Sequence, residues 1–138
     1  MTHTVSFTTA RYTNLQTLIL TDHAHLLRSF DTERDEHVLI RVFRTSNEAE
    51  QSYILTEAAA LSKLASPHIA MLYDVNITAN NEPYIAFENL QHIPLDTVPH
   101  SQFSNAQFIV QMAASLLTAL APLHAQMRAL LCLTPSSI

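Results

Sequence analysis

The sequence predicts an α+β fold with a five-stranded antiparallel sheet and two long helices. Five short segments rich in β-branched, aromatic and leucine side chains are separated by polar turns, which is typical of strands. An alanine-rich segment and a longer apolar segment instead show helical spacing. Their order along the chain predicts the arrangement β-β-β-α-β-β-α.

The first three strands are predicted to form an antiparallel meander. "RYTNLQTLIL" (11–20) and "HAHLLRSFD" (23–31) are predicted as two strands separated by the break at "TD", and "TERDE" (32–36) is a polar turn. The third strand, "EHVLIRVF", contains Arg41 within an otherwise apolar run. A permanent charge at this position requires either a partner or access to solvent.

The first helix is predicted over residues 45–67. Thr45 and Glu48 have the spacing of a capping box, and Pro67 follows the alanine-rich interior. One face of this helix is expected to be apolar, formed by Ile54, Ala58, Leu61 and Ala65, with Glu57 beside it.

The second half of the chain supplies two strands and a helix. "IAMLYDVNI" (69–77) and "EPYIAFENL" (82–90) are predicted to form a hairpin, whose turn uses asparagine where glycine is common. The last helix is expected at about 104–127, with Pro122 near its end. Its apolar stripe consists of Phe108, Met112, Leu116, Leu120 and Leu123.

Composition excludes several classes of protein. A net charge of -5 argues against a general nucleic-acid binder, and no cluster of basic residues suggests a membrane patch. Glycine is absent, so the glycine-built phosphate cradles of Rossmann and P-loop proteins are excluded. The single cysteine, Cys132, cannot form an internal disulfide, and we expect a reducing, cytoplasmic setting.

The stretch "LTEAAALSKLASPHIAMLYDV" followed by "EPYIAFENL" resembles helix αC, strands β4 and β5 and the hinge of serine/threonine protein kinases. "LLTALAPLHAQ" is similar to helix αE of that family, and "LTPSSI" to the end of its catalytic loop. The resemblance implies a kinase-like amino-terminal lobe at 1–91, with a hinge near 88–91. It implies αD- and αE-like helices of a truncated carboxy-terminal lobe at 92–138.

The resemblance assigns positions to several side chains. "VLIR" stands where the family carries V-A-I-K, so Arg41 takes the place of the lysine that holds the nucleotide phosphates. Glu57 matches the αC glutamate, which implies an Arg41–Glu57 ion pair. Phe87 matches the gatekeeper, and Glu88 to Leu90 match the segment whose backbone receives adenine.

The motifs that perform phosphoryl transfer are broken. The glycines of the phosphate loop correspond to Ile19, Thr21 and Ala24, and Asp22 places negative charge near the phosphate position. In the catalytic loop, Cys132 replaces the aspartate and Ser137 the metal-binding asparagine. The resemblance therefore implies an inactive, pseudokinase-like domain with no catalytic residues, no metal site and no cofactor, although weak ATP binding at the hinge stays open.

We expect a regulatory module for protein interaction, the front part of a larger bacterial-type signalling protein. Its partner would be another protein, further domains of a longer chain, or a second copy through the stripe of the last helix. Nucleic acid and membrane are not expected. Two alternatives stay open: an atypical active kinase fragment with residual ATP binding, and a structural dimerisation domain. His23, His25 and His37 are the candidates for a metal site, but their spacing matches no zinc pattern.

Overall fold

A computed structural model describes residues 7, 9–45, 47–63, 69–89 and 98–125. The elements of the described chain are the strands β1 (Tyr12–Leu20), β2 (Ala24–Asp31), β3 (Glu36–Phe43), β4 (Leu72–Ile77) and β5 (Pro83–Glu88), the helices α1 (Glu48–Leu61) and α2 (Ala106–Ala125), and a 3-10 helix (His100–Ser104). The predicted α+β class and element order are confirmed.

The five strands form one antiparallel sheet in the order β1-β2-β3-β5-β4. β2 and β3 pair without interruption, from Ala24 opposite Phe43 to Asp31 opposite Glu36. The register of β1 shifts twice, so this edge strand carries bulges. Such bulges increase local twist and make an edge less suited to pairing with another strand. The predicted meander of the first three strands is confirmed.

One face of the sheet carries the hydrophobic core. Val38, Ile40 and Val42 alternate along β3 and are almost completely buried. Phe7 covers this face by packing edge-on against Tyr84, with ring centroids 4.9 Å apart. The full cluster comprises Phe7, Tyr12, Leu27, Val38, Ile40, Val42, Tyr84 and Ala86. The β-branched residues of β3 thus account for much of the core, as their preference for a pleated surface leads one to expect.

The opposite face is more open. Leu39 and Phe43 of β3 are half-buried and Arg41 is exposed. Leu26 and Arg28 of β2, on the same side, are half-buried as well. Successive side chains of a strand point to opposite faces, so Arg41 lies outside the core by the same alternation that buries its neighbours.

Helix α1 begins later than predicted, and its cap is a different residue. Asn47 is the N-cap, and its Oδ1 accepts hydrogen bonds from the backbone N–H groups of Ala49 and Glu50. The predicted capping box of Thr45 and Glu48 is therefore wrong. The N–H groups of the first helical turn have no partner within the helix, and the Asn47 side chain, one position before the helix, accepts from them instead.

The buried face of α1 differs in part from the prediction. Ala58 is buried and Ile54 half-buried, as expected, but Leu61 is exposed. A polar residue, Gln51, is buried instead. Its Nε2 donates to the backbone oxygens of Thr45 and Asn81, at 3.1 and 2.7 Å. The predicted position Ala65 lies outside the described residues.

Asparagine and aspartate adopt the backbone conformations for which glycine is usually chosen. Asn81 has a φ of 62° in the β4–β5 hairpin, and Asn14 and Asp35 have φ values of 55° and 56°. These residue types tolerate the left-handed region better than others because their short polar side chains bond locally. The prediction that asparagine replaces glycine in the hairpin is confirmed.

The described elements belong to two compact units. The five strands and α1 lie in one unit, formed by Met1–Lys63 and Met71–Asn89, and the 3-10 helix and α2 lie in the other. Within α2, the predicted stripe is the less exposed side, since Phe108, Met112, Leu116 and Leu120 are half-buried. Ile109 and Leu117 beside it are exposed, Leu117 by 68%.

Candidate functional site

Arg41 and Glu57 occupy β3 and α1, the two elements that the kinase resemblance assigns to them. Arg41 stands opposite Leu26 of β2 and Ile85 of β5 in the sheet register. Glu57 is half-buried in the last half of α1. The ion pairs found among the described residues involve Arg11 and Arg34. The pairing of Arg41 with Glu57 stays a prediction.

The β1–β2 turn, which the kinase resemblance aligns with the phosphate loop, is closed by its own hydrogen bonds. The N–H of Thr21 donates to the oxygen of Ala24 at 3.0 Å, and the Thr21 hydroxyl donates to the same oxygen at 2.8 Å. The N–H of Ala24 in turn donates to the Thr21 hydroxyl oxygen at 3.0 Å. A phosphate cradle needs backbone N–H groups aimed at the ligand, and in this turn two of them are already used.

A shallow polar cleft of about 420 Å³ lies beside this turn. It is lined by Asp22, Arg44, Thr45, Asn80, Asn81 and Glu82. Its two carboxylates outnumber its single guanidinium, so the cleft favours a cation or a polar neutral group over a polyphosphate. The sequence singled out Asp22 as unfavourable for phosphate, and Asp22 lies in the wall of this cleft.

Glu88 ends β5 and is held to the start of β4. Its backbone N–H donates to the oxygen of Met71 at 2.9 Å, and its Oε2 accepts from the Met71 N–H at 3.2 Å. Phe87 is half-buried and pairs with Leu39 and Leu72. The other assigned positions, Leu90, Cys132 and Ser137, lie outside the described residues.

The most tightly connected polar group of the sheet is one that the sequence did not reveal. The guanidinium of Arg11 donates two parallel hydrogen bonds to the Asp31 carboxylate, from Nε to Oδ1 at 2.9 Å and from Nη2 to Oδ2 at 2.7 Å. The Asp31 side chain is 0% exposed. Its Oδ1 also accepts from the backbone N–H groups of Glu33 and Arg34 in the β2–β3 turn. Asp31 therefore holds the β2–β3 turn as well as binding Arg11.

Asp74 joins two core tyrosines to the same network. Its Oδ2 accepts from the hydroxyls of Tyr12 and Tyr84, at 3.0 and 3.3 Å, and lies 3.8 Å from Nη1 of Arg11. We call Arg11, Asp31, Asp74, Tyr12 and Tyr84 the carboxylate–tyrosine cluster. It connects β1, β2, β4 and β5 through side chains.

The cluster changes the acidity of its members. The hydrogen bond from Arg11 holds the pKa of Asp31 below its ordinary value despite burial. Burial and the Asp74 carboxylate raise the pKa of Tyr84 to about 12, and burial also raises that of Tyr12. Both directions move the pKa further from physiological pH, so Asp31 is charged and the two phenols are neutral there. The cluster therefore joins strands of the sheet through charge-assisted hydrogen bonds from the Arg11 guanidinium and the two phenol hydroxyls to carboxylates.

The three candidate histidines are not brought together. His23 lies in the β1–β2 turn, and His25 is buried on the core face of β2. His37 lies on the other face of the sheet, where its ring contacts Phe30 edge-on at 5.4 Å. Within the described ranges, no group of three or more His, Cys, Asp or Glu residues is arranged to hold a metal ion.

Little in the sequence could have indicated the carboxylate–tyrosine cluster. Arg11 precedes β1 and Asp31 ends β2, so the two are distant in sequence and only the strand register brings them together. The predicted meander offers one indication, because an antiparallel pair places the start of the first strand beside the end of the second. It therefore brings Tyr12, and with it Arg11, close to Asp31.

In comparisons with known proteins, neither a protein-family model nor a curated protein matched the chain. Among the helices of the described ranges, none has the length and apolar character needed to span a lipid bilayer.

Proposed function

We propose that the chain is a kinase-like module that lacks phosphoryl-transfer activity and acts in protein interaction and regulation, inside the cell and as part of a signalling protein. The element order β-β-β-α-β-β-α and the antiparallel five-stranded sheet support the kinase-like interpretation, because the resemblance implies that arrangement. Arg41 on β3 and Glu57 on α1 support it further, since each lies on the element that the resemblance requires.

The hydrogen bonds within the β1–β2 turn are the observation that supports the proposed lack of phosphoryl-transfer activity. The N–H groups of Thr21 and Ala24 are engaged within the turn. The adjoining cleft adds the carboxylates of Asp22 and Glu82. A triphosphate placed here would lose donors and meet like charge, so its binding would be unfavourable on both counts.

Exposed apolar side chains support the interaction half of the proposal. Helix α2 contains no Asp, Glu, Lys or Arg, and Ile109, Val110 and Leu117 are exposed along it. Contiguous apolar surface of this kind is typical of contact regions. The same observation favours the alternative of a dimerisation domain, in which the contact would be made with a second copy.

Calorimetric titration of the 138-residue chain with Mg·ATP tests the proposal. We expect no metal-dependent binding in the micromolar range. The Arg41→Lys variant is the matched control, because it restores the lysine of the family's strand and leaves the turn and the cleft unchanged. If the turn and the cleft prevent binding, this variant also fails to bind. Micromolar, metal-dependent affinity in the unmodified chain would refute the proposal, and its appearance in Arg41→Lys alone would refute the role given to the turn.

A further inference from the structure

The polar cleft beside the β1–β2 turn is formed by three chain segments that meet at one end of the sheet. Asp22 comes from the β1–β2 turn, Arg44 and Thr45 follow β3, and residues 80–82 belong to the β4–β5 hairpin. The strand register brings these segments together, because the end of β3 pairs with the starts of β2 and β5. The cleft has a volume of about 420 Å³, which is within the range of small-ligand sites.

Hydrogen bonds hold the walls of the polar cleft in place. The buried amide of Gln51 donates to the backbone oxygens of Thr45 and Asn81, at 3.1 and 2.7 Å, and so joins two of the three segments. The backbone N–H of Arg44 donates to the oxygen of His23 at 2.9 Å, which joins the third segment. The cleft is therefore organised before a ligand arrives, and this lowers the entropic cost of binding.

Three charged side chains line the polar cleft without neutralising one another. Asp22 and Arg44 are exposed, and Glu82 is half-buried. Among the described residues, the ion pairs involve Arg11 and Arg34, and Arg44 forms none with either carboxylate of the cleft. Charges of opposite sign that share a cleft and stay apart are available to a ligand that carries both signs.

The balance of these charges selects the class of ligand. A simple cation would leave the Arg44 guanidinium unpaired, and an anion such as phosphate would meet two carboxylates. A metal ion would find two carboxylates and a repelling guanidinium, although Ca²⁺ and Mg²⁺ favour sites rich in oxygen ligands. Two positive groups and one negative group complement the cleft, and a basic α-amino acid carries that set in its α-ammonium, its side-chain cation and its α-carboxylate.

We infer that the polar cleft binds a free basic α-amino acid, arginine or lysine. The α-carboxylate accepts hydrogen bonds from the Arg44 guanidinium, and the two cationic groups donate to the carboxylates of Asp22 and Glu82. This inference goes beyond the proposed function, because it adds a small-molecule ligand to a module proposed to contact proteins.

A single residue of a protein chain fits the polar cleft less well. Peptide bonds remove the α-ammonium and α-carboxylate charges of an internal Arg or Lys, which then offers one cation. A basic residue at the carboxyl end of a chain keeps its carboxylate but not its α-ammonium, and so leaves one carboxylate of the cleft unpaired. The free amino acid meets all three charges.

Titration of the isotope-labelled 138-residue chain with L-arginine, followed by NMR chemical shifts, tests the inference. We expect a dissociation constant of about 1 mM or tighter, with shifts concentrated at Asp22, Arg44 and Asn81. Three analogues each lack one charge: L-citrulline at the side chain, agmatine at the α-carboxylate, and N-acetyl-L-arginine, which represents a chain end, at the α-ammonium. Each analogue should bind about fivefold more weakly than L-arginine.

Protein variants assign the charges of the ligand to residues of the cleft. Arg44→Gln should weaken L-arginine about fivefold and should not weaken agmatine, which has no carboxylate to lose. Glu82→Gln should weaken both ligands, because both offer two cations. Glu33→Gln is the matched control, since it removes an exposed carboxylate from the β2–β3 turn and should leave both affinities unchanged. If Glu82→Gln does not fold, Asp22→Asn at an exposed position takes its place.

The inference is overturned if L-arginine causes no shifts at the cleft up to roughly 20 mM, or if citrulline or agmatine binds as tightly as L-arginine. It is also overturned if Arg44→Gln weakens agmatine as much as L-arginine. Equal or tighter binding of N-acetyl-L-arginine would assign the cleft to the end of a protein chain and would overturn the free amino acid as its ligand. Failure of the proposed function is distinguishable, because it would appear as Mg·ATP binding in calorimetry.

Discussion

Replacing Asp31 with asparagine should destabilise the sheet strongly, although it changes neither the size nor the shape of the side chain. Asp31 is 0% exposed and accepts two hydrogen bonds from the Arg11 guanidinium. In the variant, the new amide N–H group would face a guanidinium N–H group, donor against donor. Arg11 would then keep a partly buried charge without its main partner.

The magnitude follows from the contacts that are lost. Hydrogen bonds to charged groups contribute about 1.5–3 kcal/mol each, and Asp31→Asn removes at least one of the two. The Arg11 side chain is 24% exposed, so water compensates part of the loss. We expect the free energy of unfolding to fall by about 3 kcal/mol, a large share of the roughly 5–15 kcal/mol typical of a domain.

Urea unfolding followed by circular dichroism measures this loss. With a slope of about 1.5 kcal/mol per molar urea, the midpoint should fall by about 2 M. Glu33→Gln is the matched control, because Glu33 contacts the same Arg11 at 3.2 Å but is 66% exposed. It should change stability by less than about 1 kcal/mol. If Asp31→Asn is no more destabilising than Glu33→Gln, the stabilising role assigned to the Arg11–Asp31 contact is refuted.

The pH dependence of the same pair supplies an independent check. The pKa of Asp31 is lower in the folded chain than in the unfolded chain, so its stabilisation is present above the unfolded pKa. That stabilisation is lost as the pH falls through the folded pKa. The difference in stability between the unmodified chain and Asp31→Asn should therefore be constant near neutral pH and narrow in acid. If the difference in stability between the two proteins widened in acid instead, the pKa of Asp31 would have to be raised in the folded chain, and the argument would be wrong.

Two further predictions concern the core tyrosine Tyr84 and the buried amide of Gln51. The pKa of Tyr84 is raised to about 12, so its neutral form stabilises the fold below the unfolded tyrosine pKa and this contribution is lost as the pH rises through about 12. The tyrosinate absorbance that Tyr84→Phe removes should accordingly appear near pH 12, and its appearance near pH 10 would contradict the burial of this phenol. Gln51→Ala should lower the free energy of unfolding by about 1–3 kcal/mol, because two backbone oxygens lose the donor that joins α1 to the β4–β5 hairpin. Urea unfolding measures this change, with the exposed Ser52→Ala as control, and equal stability of the two variants would disprove the role of the amide.

The strands were predictable because their sequence periodicity reflects local physics. β3 was predicted at its observed bounds, since the alternation of Val38, Ile40 and Val42 with polar and partly exposed neighbours records which face is buried. The hairpin at Asn81 was predictable for a similar reason, because few residues besides glycine adopt a positive φ. In both cases the signal lies within a few consecutive residues.

The carboxylate–tyrosine cluster and the burial of Gln51 were not predictable in this way. Arg11 meets Asp31, and Gln51 meets Asn81, only through the strand register and the packing of α1. Polar residues carry no apolar periodicity, so their burial depends on partners that tertiary structure supplies. Even the N-cap was misplaced: Asn47 and Thr45 are both good capping residues, and the choice between them depends on where the chain leaves β3.

The β1–β2 turn shows that the absence of glycine does not hinder folding, although it affects which ligands the turn can bind. Where a described turn needs a left-handed residue, the chain uses Asn14, Asp35 or Asn81. The turn from Thr21 to Ala24 does not need one, since its residues are outside that set and the Thr21 hydroxyl closes it. Glycine would therefore relieve no strain there, and inserting it alone would not free the N–H of Thr21, which donates to Ala24 through the backbone. The hydrogen bonds of the turn use N–H groups that a phosphate cradle would need, which is why the single substitution Arg41→Lys is not expected to give nucleotide binding.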